Sequence, residues 1–190
     1  MDEMEPWPQN TGTAINELIA TNVTWLKQAL SLVQELDDVT FRASPQGLAP
    51  HRVGGHLRHV LEFYECFLDG LRSLTVDYDA RRRSHSVETS RDAAAEKLSS
   101  ILRRLTENPW IHSDSVMFVR MENAEEGRCE NSYLRSTVSR ELQALSSHTI
   151  HHFALIAIAL RLHGLNVDPD FGMSPSTLRY QTGKVELTSA

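Results

Sequence analysis

Cysteine is nearly absent from this chain: 190 residues contain two, Cys66 and Cys129. They stand far apart, one in a helical pattern and one in an expected hairpin, so they supply no disulfide framework of the kind small secreted domains rely on. A reducing cytoplasmic setting is the expectation. Long apolar runs are absent too, none reaching the ~18 residues of a membrane span. The first residues, Met1-Asp2-Glu3-Met4-Glu5-Pro6, are acidic where a secretory signal needs a basic region ahead of an apolar one. The formal charge is −6, with Lys and Arg scattered rather than clustered. No basic stripe tracks a phosphate backbone and no polybasic patch meets an anionic bilayer. Neither nucleic acid nor membrane is therefore an expected partner, and a small-molecule ligand is. There is no internal repeat and no low-complexity tract.

Histidine is what the chain has. It carries nine, and five fall in two short clusters, His56 with His59 and His148 with His151 and His152. Both clusters lie on segments patterned as amphipathic helices. Neutral imidazoles converging from two helices bind a divalent metal and leave coordination positions open.

At this length one domain is the simplest count, residues 1–190, large enough to bury a core without disulfides. After a polar leader, Ile15, Leu18, Ile19, Trp25, Leu26, Ala29, Leu30, Val33 and Leu36 recur at helical spacing. Ser44-Pro45-Gln46-Gly47 reads as a loop. A second stripe, Val53, Leu57, Val60, Tyr64, Phe67, Leu71 and Leu74, steps by fours and threes as in a helix packed lengthwise on neighbours. Residues 75–88 are strongly charged and lack a period, so a long connection is expected there. Thr89 with Asp92 resembles a capping pair for a third helix bearing Leu98, Ile101, Leu102 and Leu105, which Pro109 stops. Residues 115–121 and about 128–134 read as a small hairpin with Gly127 in its turn. Ser136 or Thr137 caps a fourth helix that runs to about His163, with Gly164 as its stop. The stretch from Phe153 to Leu162 is apolar except for Arg161 and is expected to be deeply buried. Residues 166–190 read as an extended wrap with a frayed tip. Four helical patterns and little strand predict an all-α bundle over about 13–165, and bundle interiors are where facing helices build metal sites.

His148 and His152 are four apart and share a helix face within reach of one ion; His148 and His151, three apart, are an alternative pair. On the second helix the centre of the apolar stripe lies nearer His56, with His59 on the flank beside Phe63. A buried centre favours His56 and a cleft at the bundle edge favours His59. Cys66 lies two turns beyond His59, roughly 10 Å along the axis, and reads as a small buried apolar residue. Candidates for a general base are Glu62, one turn from His59, and Glu141, two turns before His148. His56 and His151 are candidates to orient a ligand or carry protons, and Arg81, Arg82 and Arg83 to hold an anionic substrate.

The segment Val53-Gly54-Gly55-His56-Leu57-Arg58-His59-Val60, followed almost ninety residues later by His148-Thr149-Ile150-His151-His152, resembles the DinB-like (DinB/YfiT) metal-binding proteins. The stretches Val76-Asp77-Tyr78-Asp79-Ala80-Arg81-Arg82-Arg83 and Asp170-Phe171-Gly172-Met173-Ser174-Pro175-Ser176-Thr177-Leu178-Arg179 look like an uncharacterised bacterial branch of that family. The resemblance implies an up-down four-helix bundle with a small hairpin inserted before the last long helix. It also implies a metal site of His59, His148 and His152, which selects His59 over His56, and frequent pairing into homodimers. Its members include transferases and isomerases that use low-molecular-weight thiols, and metal-dependent hydrolases. The expected cofactor is a divalent ion (Zn, Ni, Fe or Mn), with a small thiol as candidate co-substrate. The expected function is thiol transfer or hydrolysis on a small molecule. The alternative is a non-catalytic metal-binding or small-molecule-binding module, or a dimeric scaffold.

Overall fold

A computed structural model describes residues 11–47, 51–112, 114–121 and 133–188. The apolar stripes become helices α1 (Thr11–Glu35), α3 (Val53–Gly70), α5 (Arg91–Glu107) and α6 (Val138–Leu162), with a short α2 (Asp38–Arg42) and α4 (His85–Thr89) between them and α7 (Pro175–Thr188) at the end. The four long helices form a closed ring of contacts: α1 packs on α5 and α6, and α3 packs on the same two. Ile15, Leu26, Leu57, Tyr64, Leu98, Ile101 and Phe153 are fully buried between them.

A polar network fixes the helices' register inside that core. Tyr64 on α3 donates its hydroxyl to Asn22 Oδ1 on α1 at 2.6 Å and lies 3.1 Å from Thr149 Oγ1 on α6. The Asn22 amide in turn donates to the Leu142 carbonyl at 3.0 Å. A buried polar group without a partner costs about 1–3 kcal/mol, so sliding any one of these helices would be penalised. Thr149 is the neighbour of His148, and the network thereby sets where that ring points.

The chain is not all-α. Strands β1 (Thr75–Asp77), β2 (Val116–Arg120) and β3 (Leu134–Thr137) form a mixed sheet in the order β1-β2-β3. β2 and β3 are the expected antiparallel pair, with Val119 opposite Leu134 and Val116 opposite Thr137. Their second strand lies later than the expected 128–134, and the turn at Gly127 and Cys129 falls outside the described residues. The expectation that fails outright is the long connection of 75–88. Its first residues pair in parallel with β2, Thr75 beside Phe118 and Asp77 beside Arg120, and its last residues begin α4. Three residues cannot display a period of two, and their partners lie some forty positions away, so the charge pattern alone suggested a loop.

Two close approaches hold this returning segment to α3. A Cβ at Gly70 would lie 2.4 Å from the Thr75 carbonyl oxygen, and one at Gly54 would lie 2.1 Å from that of Glu88. Glycine at both ends of α3 lets β1 and α4 lie directly against its backbone. Buried Glu88 then pairs with Arg52, just before α3, and with Arg58 within it.

Caps differ from expectation in one place. Ser90, not Thr89, caps α5, accepting from Ala93 N, whereas Thr137 caps α6 as expected, accepting from Arg140 N. Gly164 sits at φ +77° just past the end of α6. The apolar stretch before it is less covered than expected: Ile158 is 49% and Leu162 58% exposed. Residues 175–188, expected as extended wrap, are helical, with Ser174 Oγ accepting from Thr177 N at the start. No helix among the described residues is long and apolar enough to cross a membrane.

Candidate metal centre and adjoining cavity

α3 and α6 lie side by side, and the faces they turn toward each other carry His56 and His59 on one and His148 and His152 on the other. The Nε2 atom of His148 lies 3.1 Å from Nε2 of His59 and 3.1 Å from Nε2 of His152. Donor atoms of the three rings all fall within 4.8 Å of one another. A neutral ring nitrogen has either one proton or one lone pair, so hydrogen bonding explains only one of the two contacts at His148. A cation placed between the three rings would account for both. Two Zn–N bonds of ~2.0–2.1 Å at a tetrahedral angle hold their nitrogens roughly 3.3 Å apart, close to the observed spacing.

The rings are kept unprotonated, as ligation requires. Burial, followed by the guanidiniums of Arg81 and Arg58, pushes His59 down to about 4. Burial and then His59 push His148 down to about 4, and burial, His148 and His59 push His152 down to about 3. At neutral pH three lone pairs are available. Among the described residues His148 Nδ1 is buried without a hydrogen-bond partner.

His56 does not join the three Nε2 atoms. Its Nδ1 lies 3.0 Å from Nδ1 of His152, and its Nε2 lies 3.2 Å from Nδ1 of His51. Thus His56 and His59 both face α6, one reaching the rear of the His152 ring and the other its front; this explains why the helical pattern alone left the choice open. His51 was missed by the sequence reading because it lies two residues before the helix. His151 is exposed, with its ring beside that of His152 at 5.2 Å between centroids.

A cavity of about 610 Å³ opens beside His59 and His148. Its walls are mostly apolar, Phe63, Val119, Leu134 and Leu145 among them, and Glu141 is set into one side. The Glu141 carboxylate accepts from the Tyr78 hydroxyl at 2.8 Å and from Ser136 at 2.6 Å. Burial and then Glu141 raise Tyr78 far above an ordinary phenol, so it stays protonated and donating. Tyr78 also stacks on Phe63, whose ring lies 4.3 Å from that of His148. The signal for Tyr78 was the in-out-in burial of Val76 to Tyr78, too short to stand out among charges.

The other sequence candidates are engaged elsewhere. Glu62 lies off this cavity, its carboxylate accepting from Ser84 N at 3.0 Å and facing Arg58 at 3.5 Å. Burial raises its pKa against those partners. It pins the segment leading to α4. Arg81 donates to the Tyr78 carbonyl and lies over Phe63, 4.2 Å from the ring centroid. Cys66 is half-buried rather than fully buried, in a second hollow of about 320 Å³ with Glu62, Asp69 and Asp77. Burial pushes its thiol up to about 11, so it is not a thiolate at neutral pH.

No model of a known protein family matches the chain. Among curated proteins the chain is similar to the FK506-binding protein 5 of Rhizopus delemar, 36% identical over 106 residues; the match covers 55% of this chain and 27% of the length of that protein.

Proposed function

We propose that the protein is a metal-dependent enzyme acting on a small molecule, by thiol transfer or hydrolysis, at a centre held by His59, His148 and His152. The observation that carries this reading is the double contact of His148 Nε2 with the other two Nε2 atoms, beside an apolar cavity that two of those rings help to line. A structural zinc site is closed by four protein ligands, whereas here three imidazoles converge and two of them, His59 and His148, line the cavity. A divalent ion held by neutral ligands supplies Lewis acidity, bringing a water or a small thiol toward ionisation near neutral pH.

The chain's own groups set the rest. Phe63, Val119 and Leu145 give one side of the cavity an apolar surface, and the Phe63 ring packs at a tilt against the His148 ring, 4.3 Å between centroids. Glu141, kept as an acceptor by two hydroxyl donors, is the carboxylate best placed to take a proton from a substrate in the cavity; Glu62 is committed to Ser84. His152 Nδ1–H donates to His56, which orients the ligand ring. The kinship with DinB-like proteins is part of this proposal and rests on the histidine spacing; a small thiol as co-substrate and a cytoplasmic location belong with it.

Metal analysis of protein purified without a histidine tag, beside His59→Ala and His152→Ala, tests the centre. About one equivalent of metal in the parent and loss in both variants is expected, together with turnover on a panel of thiol acceptors or esters. Metal-free parent protein refutes the reading.

A second reading is a small-molecule-binding module without turnover. The mostly apolar cavity favours it, as does the name of the Rhizopus delemar relative, which speaks of FK506 binding. Bound metal and saturable ligand binding with no product across the panel would select it.

A further inference from the structure

The cavity beside the three histidines has an unequal distribution of charge along its wall. Glu141 is the one carboxylate among the described residues that line it, and both of its oxygens already hold hydroxyl donors. Against it stand two guanidiniums, Arg135 on β3 and Arg140 in the first turn of α6. Neither has a carboxylate partner among the described residues; the ion pairs there are formed by other arginines and by Lys97. The first turn of α6 adds the positive end of a helix dipole to the same region. Arg140 precedes His148 by eight residues, or about 12 Å along the helix at the standard rise. The lining thus has imidazoles about two turns of α6 away from Arg140 and Glu141, with Arg135 on the neighbouring strand, two guanidiniums to one carboxylate that is already occupied.

We infer that the cavity takes an elongated, apolar molecule bearing a carboxylate or similar anion, its anionic end held by Arg135 and Arg140 and its other end lying at His59 and His148. The inference rests on the metal-centre reading for the role of the second end, but not for the anion preference. Arg135 and Arg140 are exposed, so a neutral apolar ligand would fill the same volume and leave their guanidiniums to water, gaining nothing from them. A ligand with a fork-shaped anion satisfies them in bidentate geometry. The arginines expected from the sequence to hold an anion, at 81 to 83, do not line this cavity; Arg81 is held by the Tyr78 carbonyl and the Phe63 ring.

The test is calorimetric titration of the zinc-loaded and the metal-free protein with 6-mercaptohexanoate and with its primary amide. The acid is expected to bind about tenfold more tightly than the amide in both forms, the difference made by a charge-assisted contact. The double variant Arg135→Gln/Arg140→Gln is expected to lose that preference and still bind the amide, which shows that its cavity is intact. Charge reversal, Arg140→Glu, should invert the preference. Equal binding of acid and amide by the parent protein would overturn the inference. So would a preference that survives in the double variant, or one confined to the zinc-loaded form, which would mean that the carboxylate goes to the metal. Failure of the metal reading has a different signature: no zinc uptake, or zinc without effect on either titration, while the preference in metal-free protein and its loss in the double variant persist.

Discussion

His56 Nδ1 and His152 Nδ1 face each other at 3.0 Å across the α3–α6 seam. With the Nε2 lone pair of His152 turned toward His148, its proton sits on Nδ1 and His56 must accept. That places the remaining proton of His56 on Nε2, aimed at Nδ1 of His51. One arrangement of protons thus satisfies all three rings, and it is the one that leaves His152 Nε2 unprotonated.

Removing the acceptor should loosen the ligand without deleting it. His56→Ala is expected to weaken zinc affinity by about 10- to 100-fold, the usual effect of losing a group that orients a ligand. His151→Ala, at an exposed ring, should leave the affinity unchanged. Competition with a chromophoric chelator measures both, and equal affinities for parent and His56→Ala would remove His56 from the site.

Acid should destabilise the metal-free protein through the same rings. His59, His148 and His152 have folded pKa values lowered to about 4, 4 and 3 against an ordinary value near 6.5. The unfolded chain therefore takes up protons first as pH falls. Stability is full above about 6.5 and declines between about 6.5 and 3. Thermal melts across that range should show a falling Tm, with a shallower slope in His148→Asn/His152→Asn. Identical slopes would mean that the rings are not held neutral by their surroundings.

Adjacent glycines in α3 should respond in opposite directions. Gly54→Ala sets a methyl against the Glu88 carbonyl, which belongs to backbone that cannot swing aside; a loss of about 1–3 kcal/mol is expected. At Gly55 the nearest atom is 3.3 Å away on the flexible Arg52 side chain. Gly55→Ala there should be neutral or gain up to about 1 kcal/mol from helix propensity. Urea titration separates the two, and equal effects would argue against the packing of α4 on α3.

Tyr78→Phe removes one of two donors from a buried carboxylate. A cost of about 1–3 kcal/mol is expected, and if Glu141 acts as a base the same change should alter the pH profile of turnover. Glu141→Gln should abolish turnover with metal content retained. Full activity in Glu141→Gln would exclude that role.

The sequence displayed whatever repeats within one turn of helix. Leu57, Val60, Tyr64 and Phe67, or Leu98, Ile101 and Leu105, announce a buried face because each residue is flanked by its own periodic neighbours. The histidines were legible for the same reason, and so was the ambiguity between His56 and His59, since both face α6. What could not be read was pairing at a distance. Thr75 to Asp77 form a strand only because Phe118 to Arg120 lie beside them, and the all-α expectation failed there. Ser174-Pro175 carried a start signal for α7, a capping hydroxyl followed by proline in the first turn, but Pro, Gly and Ser nearby outweighed it. Arg135 and Arg140 had no sequence signal at all; only the cavity they border gives them meaning.

The parallel seam between Thr75–Asp77 and Val116–Arg120 sets the cavity apart from the histidine cluster in what holds it together. The imidazoles are brought together by two helices alone, whereas one wall of the hollow beside them depends on a three-residue ladder joining distant stretches of chain. If that ladder breathes open ahead of the helical core, as short pairings tend to do, cation retention and ligand capture come apart: the first endures while the second flickers. Slow amide exchange at Val60 and Leu145 alongside rapid exchange at Phe118 would be the mark of a vessel whose lid frays while its anchor holds.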